Sequence, residues 1–282
     1  MKFFKIKSYA KVNLSLNITG KFNNGLHKIE SLVSFVNLFD LIFIREIKKK
    51  RHDVYFKGIH AHKIKKNNTI TKLLKILDKE RLIKGKKFEI KIIKNIPTQS
   101  GLGGGSMNVS SLISFFLKKK ILKLKKSDIF RISNLVGSDV ILGLDYQNTI
   151  LSSNGRIKKF KKKLNYYVLI CKPNFGCSTS TIYSRIKSYS KSEYNFPRKS
   201  LLNLRNIKKS KNKLESIAFL LYPKLKKLKL FLLTLPGVIF VRMSGSGSSI
   251  VAYFYSKKAL DIASKKFKKK FKNYWFIKSK TV

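Results

Sequence analysis

Apolar and polar residues alternate in three segments of the first hundred residues, and such alternation is typical of β-strands. Residues 2–18 predict one or two strands, and residues 29–47 predict a further one. The segment that starts at Phe88 predicts another strand, which ends at Pro97. The first part of the chain is therefore expected to be rich in strands.

Apolar side chains three and four residues apart, typical of a helix that packs along one face, mark other segments. Ser127 is expected to cap one of these helices, and Gly137 is expected to follow its last residue. The predicted helices cover residues 69–79, 109–117, 127–136, most of 179–230, and 256–272.

Apolar runs in the second half of the chain predict four more strands. They cover residues 165–175, 237–243, 249–255 and 274–278. The middle two flank the turn "SGSGS", residues 244–248. This order of strands and helices predicts an α+β fold in two domains, residues 1–165 and 166–282.

Basic residues dominate the charge of the chain, with 63 Lys and Arg against 13 Asp and Glu and a formal net charge of +50. A nucleic-acid partner is one explanation. Compositional drift is the other, and we favour it because the basic residues are scattered and Asn, Ile and Phe are also abundant. Hydrophobic residues make up 43% of the chain, which predicts a folded protein with a sizeable core.

The cysteines and histidines of the chain suggest neither a disulfide framework nor a metal site. Cys171 and Cys177 are expected to be reduced, as in the cytoplasm, and with the four histidines they form no zinc pattern. No apolar run is long enough for a membrane helix, and the N-terminus lacks the apolar block of a signal peptide. We therefore expect a cytoplasmic protein without a membrane partner.

Lysine is absent or rare in four segments of this lysine-rich chain. Residues 95–117, 132–155 and 243–256 contain no Lys or Arg, and residues 8–20 contain only Lys11. Burial is one explanation for each segment. Burial alone does not explain Lys11 or Asp139, which lies in the second segment. A charge among apolar neighbours is costly unless it is paired or takes part in function.

The segment "NIPTQSGLGGGSMN", residues 95–108, places glycines between a predicted strand and a predicted helix. Backbone N–H groups at a helix N-terminus lack internal partners, and the helix dipole adds positive charge, so such a loop can bind phosphate. Its spacing matches neither a Walker A loop nor a dinucleotide fingerprint. A flexible connection between strand and helix is the alternative.

Four segments, taken in order, resemble the GHMP kinases, the family of galactokinase, homoserine kinase and mevalonate kinase. They are "SYAKVNLSLNITGKFNNGLHKIESLVSFVNLFD", "PTQSGLGGGSMN", "GSDV" and "RMSGSGSSIVAYF". The resemblance implies a two-domain α+β kinase with its active site in the cleft between domains. It also implies ATP-dependent phosphorylation of a hydroxyl on a cytidine-diphosphate-linked sugar alcohol, in the non-mevalonate route to isoprenoids, with Mg²⁺ bound to ATP.

The resemblance implies that Asp139 and Lys11 are catalytic. Asp139 would accept or orient the proton of the substrate hydroxyl as it attacks the γ-phosphate. Lys11 would keep Asp139 ionised and offset charge on the transferred phosphoryl group. The alternatives are a helix cap for Asp139 and an ordinary edge-strand lysine for Lys11.

The resemblance also implies ATP-binding residues in and near residues 97–105, called here the glycine loop. Ser106 and Asn108 open the next helix, where they would either reach phosphate and metal or cap the helix. Asn68 matches a family position near the adenine. The full predicted set is Pro97, Thr98, Gln99, Ser100, Gly101, Leu102, Gly103, Gly104, Gly105, Ser106, Met107, Asn108 and Asn68.

For the substrate, the resemblance implies that His27 recognises the cytosine edge and that Tyr183 stacks on the base. The alternatives are a turn residue and a core aromatic. Leu26 stands where the family usually has Tyr, and residues 145–160 lack an expected Glu, so the phosphates would supply most metal ligands and no protein metal site is predicted. The predicted substrate-binding residues are Asn13, His27, Tyr183, Gly245 and Gly247.

Two other functions stay open at this point. Phosphorylation of mevalonate or homoserine is one, although His27 and Tyr183 favour a cytosine-containing substrate. A basic RNA-binding protein is the other, although a nucleic-acid site should carry Lys or Arg within its motifs. We expect small-molecule substrates, no specific nucleic acid, and a monomer or weak homodimer.

Overall fold

The computed structural model describes residues 2–62 and 64–282 of the chain. Helices and strands follow one another along most of its length. In chain order they are β1 (Phe4–Lys21), β2 (His27–Ile47), β3 (Asp53–Lys57), α1 (Thr69–Lys79), β4 (Lys87–Ile93), α2 (Gly104–Lys118), α3 (Lys126–Val136), β5 (Asn148–Leu151), β6 (Ile157–Phe160), β7 (Tyr167–Lys172), α4 (Thr179–Ser184), α5 (Leu204–Lys209), α6 (Leu214–Leu221), α7 (Pro223–Leu233), β8 (Val238–Met243), β9 (Ile250–Phe254), α8 (Lys257–Lys270) and β10 (Trp275–Lys280). Short 3₁₀ helices cover Val140–Leu144 and Lys199–Leu202.

The chain forms two compact units, each built from several separate segments. Unit 1 contains the residues up to Lys11, Leu38–Thr98 and Gly103–Tyr146, and unit 2 contains Val12–Asn37, Gln99–Leu102 and Gln147–Val282. Strands β1 and β2 therefore contribute one part to each unit. The predicted domains, residues 1–165 and 166–282, follow sequence order instead and stay a prediction, as does the placement of the active site in a cleft.

In unit 1, strand β4 lies between two partner strands. The second part of β2 runs antiparallel to β4, with Leu41 opposite Ile93. Strand β3 runs parallel to β4, with Val54 opposite Ile90. Helices α1, α2 and α3 pack with these strands around one apolar cluster. Its buried members include Ile42, Ile90, Leu73, Leu112 and Ile132, and each such side chain contributes about 1.5–3 kcal/mol through its removal from water.

Helix α1 begins where its sequence supplies a complete N-terminal cap. The side chain of Asn68 accepts hydrogen bonds from the backbone N–H groups of Ile70 and Thr71, at 3.0 and 3.2 Å. The backbone N–H of Asn68 donates in return to the Thr71 hydroxyl at 3.0 Å. This reciprocal pair satisfies donors that a bare helix end would leave exposed.

In unit 2, four antiparallel strands pair in the order β10, β7, β9, β8. The first part of β2 pairs with β5, with Ser31 opposite Leu151, and β5 pairs with β6. The apolar cluster of this unit combines strand residues with residues of α4, α6, α7 and α8. Buried members include Leu169, Ala252, Ile182, Leu214, Leu228 and Phe267.

The structure confirms the predicted α+β class and most of the predicted elements. Helix α1 has the predicted bounds, and α3 ends at Val136 before Gly137 as expected. Helix α2 starts at Gly104, five residues before the predicted stretch, because the glycines themselves join the first turn. Residues 179–230 are mostly helical, with an irregular stretch over 185–198.

Two aspects of the predicted fold need correction. Ser127 does not cap α3: the helix begins at Lys126, and the cap residue, Lys125, makes no side-chain cap bond. Strands β3, β5 and β6 were not predicted, because four or five residues are too few for alternation to stand out.

Two further findings concern the cysteines and the lengths of the helices. Cys171 and Cys177 are buried free thiols. Within residues 2–62 and 64–282, no helix has both the length and the apolar character needed to cross a bilayer.

Candidate active site

The two predicted catalytic side chains form an ion pair inside unit 1. The Nζ atom of Lys11 lies 3.3 Å from Oδ2 of Asp139. The Lys11 side chain is 5% exposed and that of Asp139 is 38% exposed, so the amine is enclosed while the carboxylate keeps an open face. Asp139 precedes the 3₁₀ helix but makes no side-chain cap bond to it in the described chain. The carboxylate is therefore held by the amine and can still meet a ligand.

The glycines at the start of α2 make room for the Lys11 side chain. Gly103 has a φ of +69°, and a Cβ atom there would lie 2.8 Å from Cγ of Lys11. Gly103 is also the cap residue of α2 and has no side chain to satisfy the first N–H groups of the helix. Those amides, and the positive end of the helix dipole, thus lie next to the enclosed amine.

A buried ion pair that the sequence analysis did not identify anchors the strand before these glycines. Asp40 is fully buried, and its Oδ2 atom forms a very short contact with Nζ of Lys94, which is 3% exposed. Its Oδ1 atom accepts the backbone N–H groups of Asn95 and Ile96, at 2.8 and 2.9 Å. A Cβ atom on Gly104 would lie 3.2 Å from Nζ of Lys94. Asp40 thus fixes the chain immediately before the glycines.

One signal in the sequence could have identified this anchor. Asp40 interrupts an otherwise apolar stretch of β2, and Lys94 is the last lysine before the lysine-free segment of residues 95–117. A buried carboxylate and a buried amine cost free energy unless they meet. Each of these two charged residues therefore indicates that an oppositely charged partner is buried beside it.

The remaining predicted ATP-binding residues of unit 1 differ in what they can offer a ligand. Thr69, next to Asn68, donates its hydroxyl to the backbone oxygen of Gly105 at 3.2 Å, so Asn68 lies near the start of α2. Met107 is fully buried, and Asn108 is 1% exposed with no hydrogen-bond partner for Oδ1 among the described residues. Ser106 is the third residue of α2 and therefore does not cap it. Pro97 and Thr98 complete the predicted set in this unit.

The middle of the glycine loop, residues 99–102, belongs to unit 2 and packs closely there. Gly101 has a φ of +74°, and a Cβ atom on it would lie 2.0 Å from the backbone oxygen of Ser244. The Ser244 hydroxyl donates to the backbone oxygen of Gly101 at 2.9 Å. The backbone oxygen of Ser100 accepts the N–H of Ser249 at 3.1 Å. Gln99 packs against Gly176, and Leu102 is fully buried.

The turn of residues 244–248, called here the second glycine turn, is bound to the predicted substrate residue Asn13. The Oδ1 atom of Asn13 accepts the N–H of Gly245 at 2.9 Å, and Nδ2 donates to the Ser31 hydroxyl at 2.8 Å. Gly247 has a φ of +87°, and a Cβ atom there would lie 3.2 Å from Sγ of Cys177. Asn13, Gly245 and Gly247 are thus brought together, and the Asn13 amide is engaged in supporting the turn.

His27 and Tyr183, the two residues predicted to bind cytosine, lie side by side in unit 2. Their ring centroids are 5.1 Å apart and the rings are tilted by 55°. Burial, and secondarily the charge of Lys21, lowers the pKa of His27, so its imidazole is neutral at neutral pH. Among the described residues, nothing hydrogen-bonds to its buried Nε2 atom. Leu26 is 66% exposed beside them.

Carboxylates and other metal-binding side chains are sparse around these residues. In the part of the chain that the structure describes, no three His, Cys, Asp or Glu side chains cluster as metal ligands do. Near Asp139, the Ser106 hydroxyl oxygen lies 3.5 Å from the position of a Cβ on Gly137. A divalent ion at this place could use the Asp139 carboxylate and the Ser106 hydroxyl, and it would suit a ligand that brings its own phosphate oxygens.

Two family models match the chain. The GHMP kinases N terminal domain matches residues 68–149, and the GHMP kinases C terminal model matches residues 193–273. The first contains Asp139 and the whole glycine loop, and the second contains the second glycine turn.

Relatives match the chain over nearly its whole length. A 4-diphosphocytidyl-2-C-methyl-D-erythritol kinase of Pelagibacter ubique is 55% identical, with both chains covered in full. A protein of the same name from Anaplasma marginale is 32% identical, with 98% of this chain and 96% of the relative covered.

Solved structures share the fold at low sequence identity. A crystal structure of 4-(cytidine 5'-diphospho)-2C-methyl-D-erythritol kinase superposes with a TM-score of 0.76 at 20% identity, covering 98% of this chain and 99% of the other. A homoserine kinase from Cytophaga hutchinsonii superposes with a TM-score of 0.70 at 18% identity, covering 100% and 95%. The structural likeness fits the relatives and the two family models, and the chain belongs to the GHMP kinase family.

Proposed function

We propose that this chain transfers a phosphoryl group from ATP to a hydroxyl of 4-diphosphocytidyl-2-C-methyl-D-erythritol, in the non-mevalonate route to isoprenoid precursors. ATP as a substrate follows from membership of the GHMP kinases. The acceptor is the compound for which the relatives from Pelagibacter ubique and Anaplasma marginale are named. Those names favour it over mevalonate, homoserine or an RNA partner.

The observation that carries the proposal is the ion pair of Lys11 and Asp139 beside the glycine start of α2. Asp139 orients the substrate hydroxyl and takes its proton as the oxygen attacks the γ-phosphorus of ATP. The bond from that phosphorus to the bridging oxygen breaks, and ADP leaves with the electron pair. Lys11 holds the Asp139 carboxylate in place through the ion pair and offsets negative charge on the phosphoryl group in transit.

The backbone of the glycine loop holds the phosphates of ATP in this proposal. The first amides of α2 have no side-chain cap, and the helix dipole favours an anion at that end. Lys11 adds positive charge next to Gly103. Asn68 and the rest of the predicted set, residues 97–108, line the nucleotide.

Mg²⁺ accompanies ATP in the proposed reaction. Asp139 and Ser106 are the side chains whose oxygens would help to hold it, and the phosphates would supply most of the other ligands. When bound, the ion neutralises phosphate charge.

The cytidine end of the substrate is assigned to His27 and Tyr183. A neutral imidazole can both donate and accept, as hydrogen bonding to the edge of a cytosine requires. The Tyr183 ring offers a stacking surface, and Leu26 offers an exposed apolar one. Asn13, Gly245 and Gly247 complete the proposed substrate contacts.

A phosphoryl-transfer assay with purified chain tests the proposal. ATP, Mg²⁺ and one acceptor are combined, and ADP release is measured for the cytidine-diphosphate acceptor, for mevalonate and for homoserine. Turnover of the first acceptor alone is expected. Faster turnover of mevalonate or homoserine would overturn the assignment of the substrate.

An RNA titration addresses the basic charge of the chain. RNA binding through phosphate contacts should weaken steeply as salt is raised, because counterions are released on binding. Turnover of the cytidine substrate should depend on salt much less. A salt-resistant, saturable RNA complex would reinstate the nucleic-acid alternative.

A further inference from the structure

The second glycine turn is held from outside by a buried amide that the proposed chemistry has not used. Asn212 lies just before α6 and is 3% exposed. Its Nδ2 group donates to the backbone oxygens of Met243 and Gly245, at 2.9 and 2.8 Å. One amide hydrogen therefore holds the residue before the turn, Met243, and the other holds Gly245 within it.

The orientation of this amide is fixed by its third hydrogen bond. Oδ1 of Asn212 accepts the backbone N–H of Leu214, the first residue of α6, at 3.0 Å. A flipped amide would place N–H against N–H at this point. The nitrogen must therefore face the turn.

The backbone on either side of Asn212 is tied to the strand that carries Asn13. The N–H of Leu16 in β1 donates to the oxygen of Lys211 at 3.0 Å, and the N–H of Lys213 donates to the oxygen of Leu16 at 2.8 Å. Asn212 is thus held against β1, three residues along the strand from Asn13.

The second glycine turn also fixes Asn13 and Gly101, two residues that the proposed reaction needs. Gly245 donates its N–H to Asn13, and Ser244 donates its hydroxyl to the oxygen of Gly101. Gly101 and Ser244 pack so closely that a Cβ atom on Gly101 would overlap the backbone oxygen of Ser244. Movement of the turn would therefore displace both a proposed substrate contact and a proposed ATP contact.

We propose that Asn212 is a positioning residue for phosphoryl transfer, acting through the second glycine turn on Asn13 and Gly101. This inference rests on the proposed function for its kinetic consequence. Without the amide, two buried carbonyl oxygens lose their donors and the turn shifts to regain them. A misplacement of about 1 Å in such a support can cost about 10²-fold in rate.

The decisive variant is Asn212→Asp, with Ser256→Ala as its matched control. The new carboxylate can still accept the N–H of Leu214, but it donates nothing and faces two carbonyl oxygens. Ser256 caps α8 through the N–H of Ala259 at 3.1 Å and has no contact with the second glycine turn among its described bonds. The control thus removes a helix cap alone.

We expect kcat/KM of Asn212→Asp to fall by about 10²-fold, with faster amide exchange at residues 243–249. Ser256→Ala should lower the urea midpoint and leave kcat/KM and that exchange unchanged. Asn212→Ser, whose hydroxyl donates one hydrogen bond, should fall between wild type and Asn212→Asp. The order of the three activities is measured under conditions where urea unfolding shows each variant folded.

A pH profile separates positioning from general destabilisation. A buried carboxyl facing two carbonyl oxygens has a raised pKa, and its protonated form donates one hydrogen bond. The activity of Asn212→Asp relative to wild type should therefore rise as pH falls from 8 to 6, while the ratio for Ser256→Ala stays constant.

Two results would overturn the inference. One is a kcat/KM of Asn212→Asp within twofold of Ser256→Ala. The other is unchanged exchange at residues 243–249 in Asn212→Asp. If the wild-type chain does not phosphorylate the cytidine acceptor, the proposed function fails by itself, and the exchange data together with ATP affinity still decide the role of Asn212.

Discussion

The glycine loop of residues 97–105 and the second glycine turn of residues 244–248 are fixed in place by different chemistry. The approach to the loop is fixed by charge, since the carboxylate of Asp40 binds the Lys94 amine and two backbone N–H groups. The turn is fixed by neutral amides, with Asn13 accepting from it and Asn212 donating to it. Both devices act on the backbone of the glycine-containing segment itself.

The difference reflects what each anchor must tolerate. Buried charges are expensive, and a single one left without its partner is more expensive still. A positive charge beside the start of α2 is compatible with a phosphate ligand there. Neutral amides hold their partners without adding a charge beside the substrate residues proposed here.

The largest effect should come from the ion pair next to the loop. Asp139→Asn and Lys11→Ala should each lower kcat by about 10²–10⁴-fold, the range for positioned acid–base groups. Circular dichroism and urea unfolding should show both variants folded. Near-wild-type rates in both variants would remove the catalytic assignment.

Of the two anchors, the charged pair Asp40–Lys94 should cost more stability when only one of its partners is replaced. Asp40→Asn should destabilise the chain by about 3–5 kcal/mol, because it leaves the Lys94 amine buried without a counter-charge. Asp40→Asn combined with Lys94→Met should recover most of that loss, since Asn still accepts the backbone N–H groups. Urea unfolding measures both.

An exposed pair of the same sheet serves as the control for that cycle. Lys86 and Glu46 form an ion pair at 2.8 Å with side chains 42% and 34% exposed. Glu46→Gln should cost less than about 1 kcal/mol. Equal losses in Asp40→Asn and Glu46→Gln would mean that Asp40 does not act as a buried anchor.

Contact between the loop and the turn can be tested at a single glycine. Gly101→Ala must push the backbone of Ser244 away, and we expect kcat/KM for ATP to fall by about 10²-fold. Gly155→Ala is the matched control, because Gly155 has a φ of +80° and a Cβ there would meet nothing within 4 Å. Both variants carry the cost of a left-handed residue, about 1 kcal/mol. Similar kinetics in the two would show that the close approach has no functional role.

The smallest expected effect is a pH dependence of the stability of unit 1, which contains the charged anchor Asp40–Lys94. The ring of His52 accepts the N–H of Phe88 in β4 through Nδ1, at 3.0 Å, and its Nε2 atom lies 3.1 Å from Oδ2 of Asp78. Burial is the main cause that lowers the pKa of His52, with Lys87 also lowering it and Asp78 opposing.

The direction of the pH effect follows from this lowered pKa. At a pH above the ordinary histidine pKa of 6.5, the His52 ring is neutral in both the folded and the unfolded chain. Its full contribution to the free energy of unfolding is then present. As pH falls below that value, the unfolded chain takes up the proton first and stability declines, by about 1.4 kcal/mol for each unit of pKa difference. Urea unfolding between pH 7 and 5 should show this loss in wild type but not in His52→Asn.

Long elements with strong patterns could be predicted from the sequence. The bounds of helix α1 were predicted residue for residue because its apolar spacing is regular, whereas its cap, Asn68, was assigned only to the nucleotide. The four segments in which Lys and Arg are absent or rare led to Lys11, Asp139 and both glycine segments, because burial and close backbone approach exclude most long charged side chains.

Long-range partners could not be predicted in the same way. Asp40 and Lys94 are separated by 54 residues, and Asn212 and Gly245 by 33. No local pattern specifies such pairs, since each depends on how separate segments pack. The short strands β5 and β6 were missed because their pairing, rather than their own residues, makes them strands.

The segmented composition of unit 2 has a consequence for synthesis. Leu16, near the start of the chain, receives its backbone partners from residues 211 and 213. At a ribosomal rate of about 5–20 residues per second, the first strand must wait roughly 10–40 s for those partners to be made. During that interval the edge of β1 that pairs with those residues is open to other nascent chains, which makes it a place where aggregation can start before synthesis is complete.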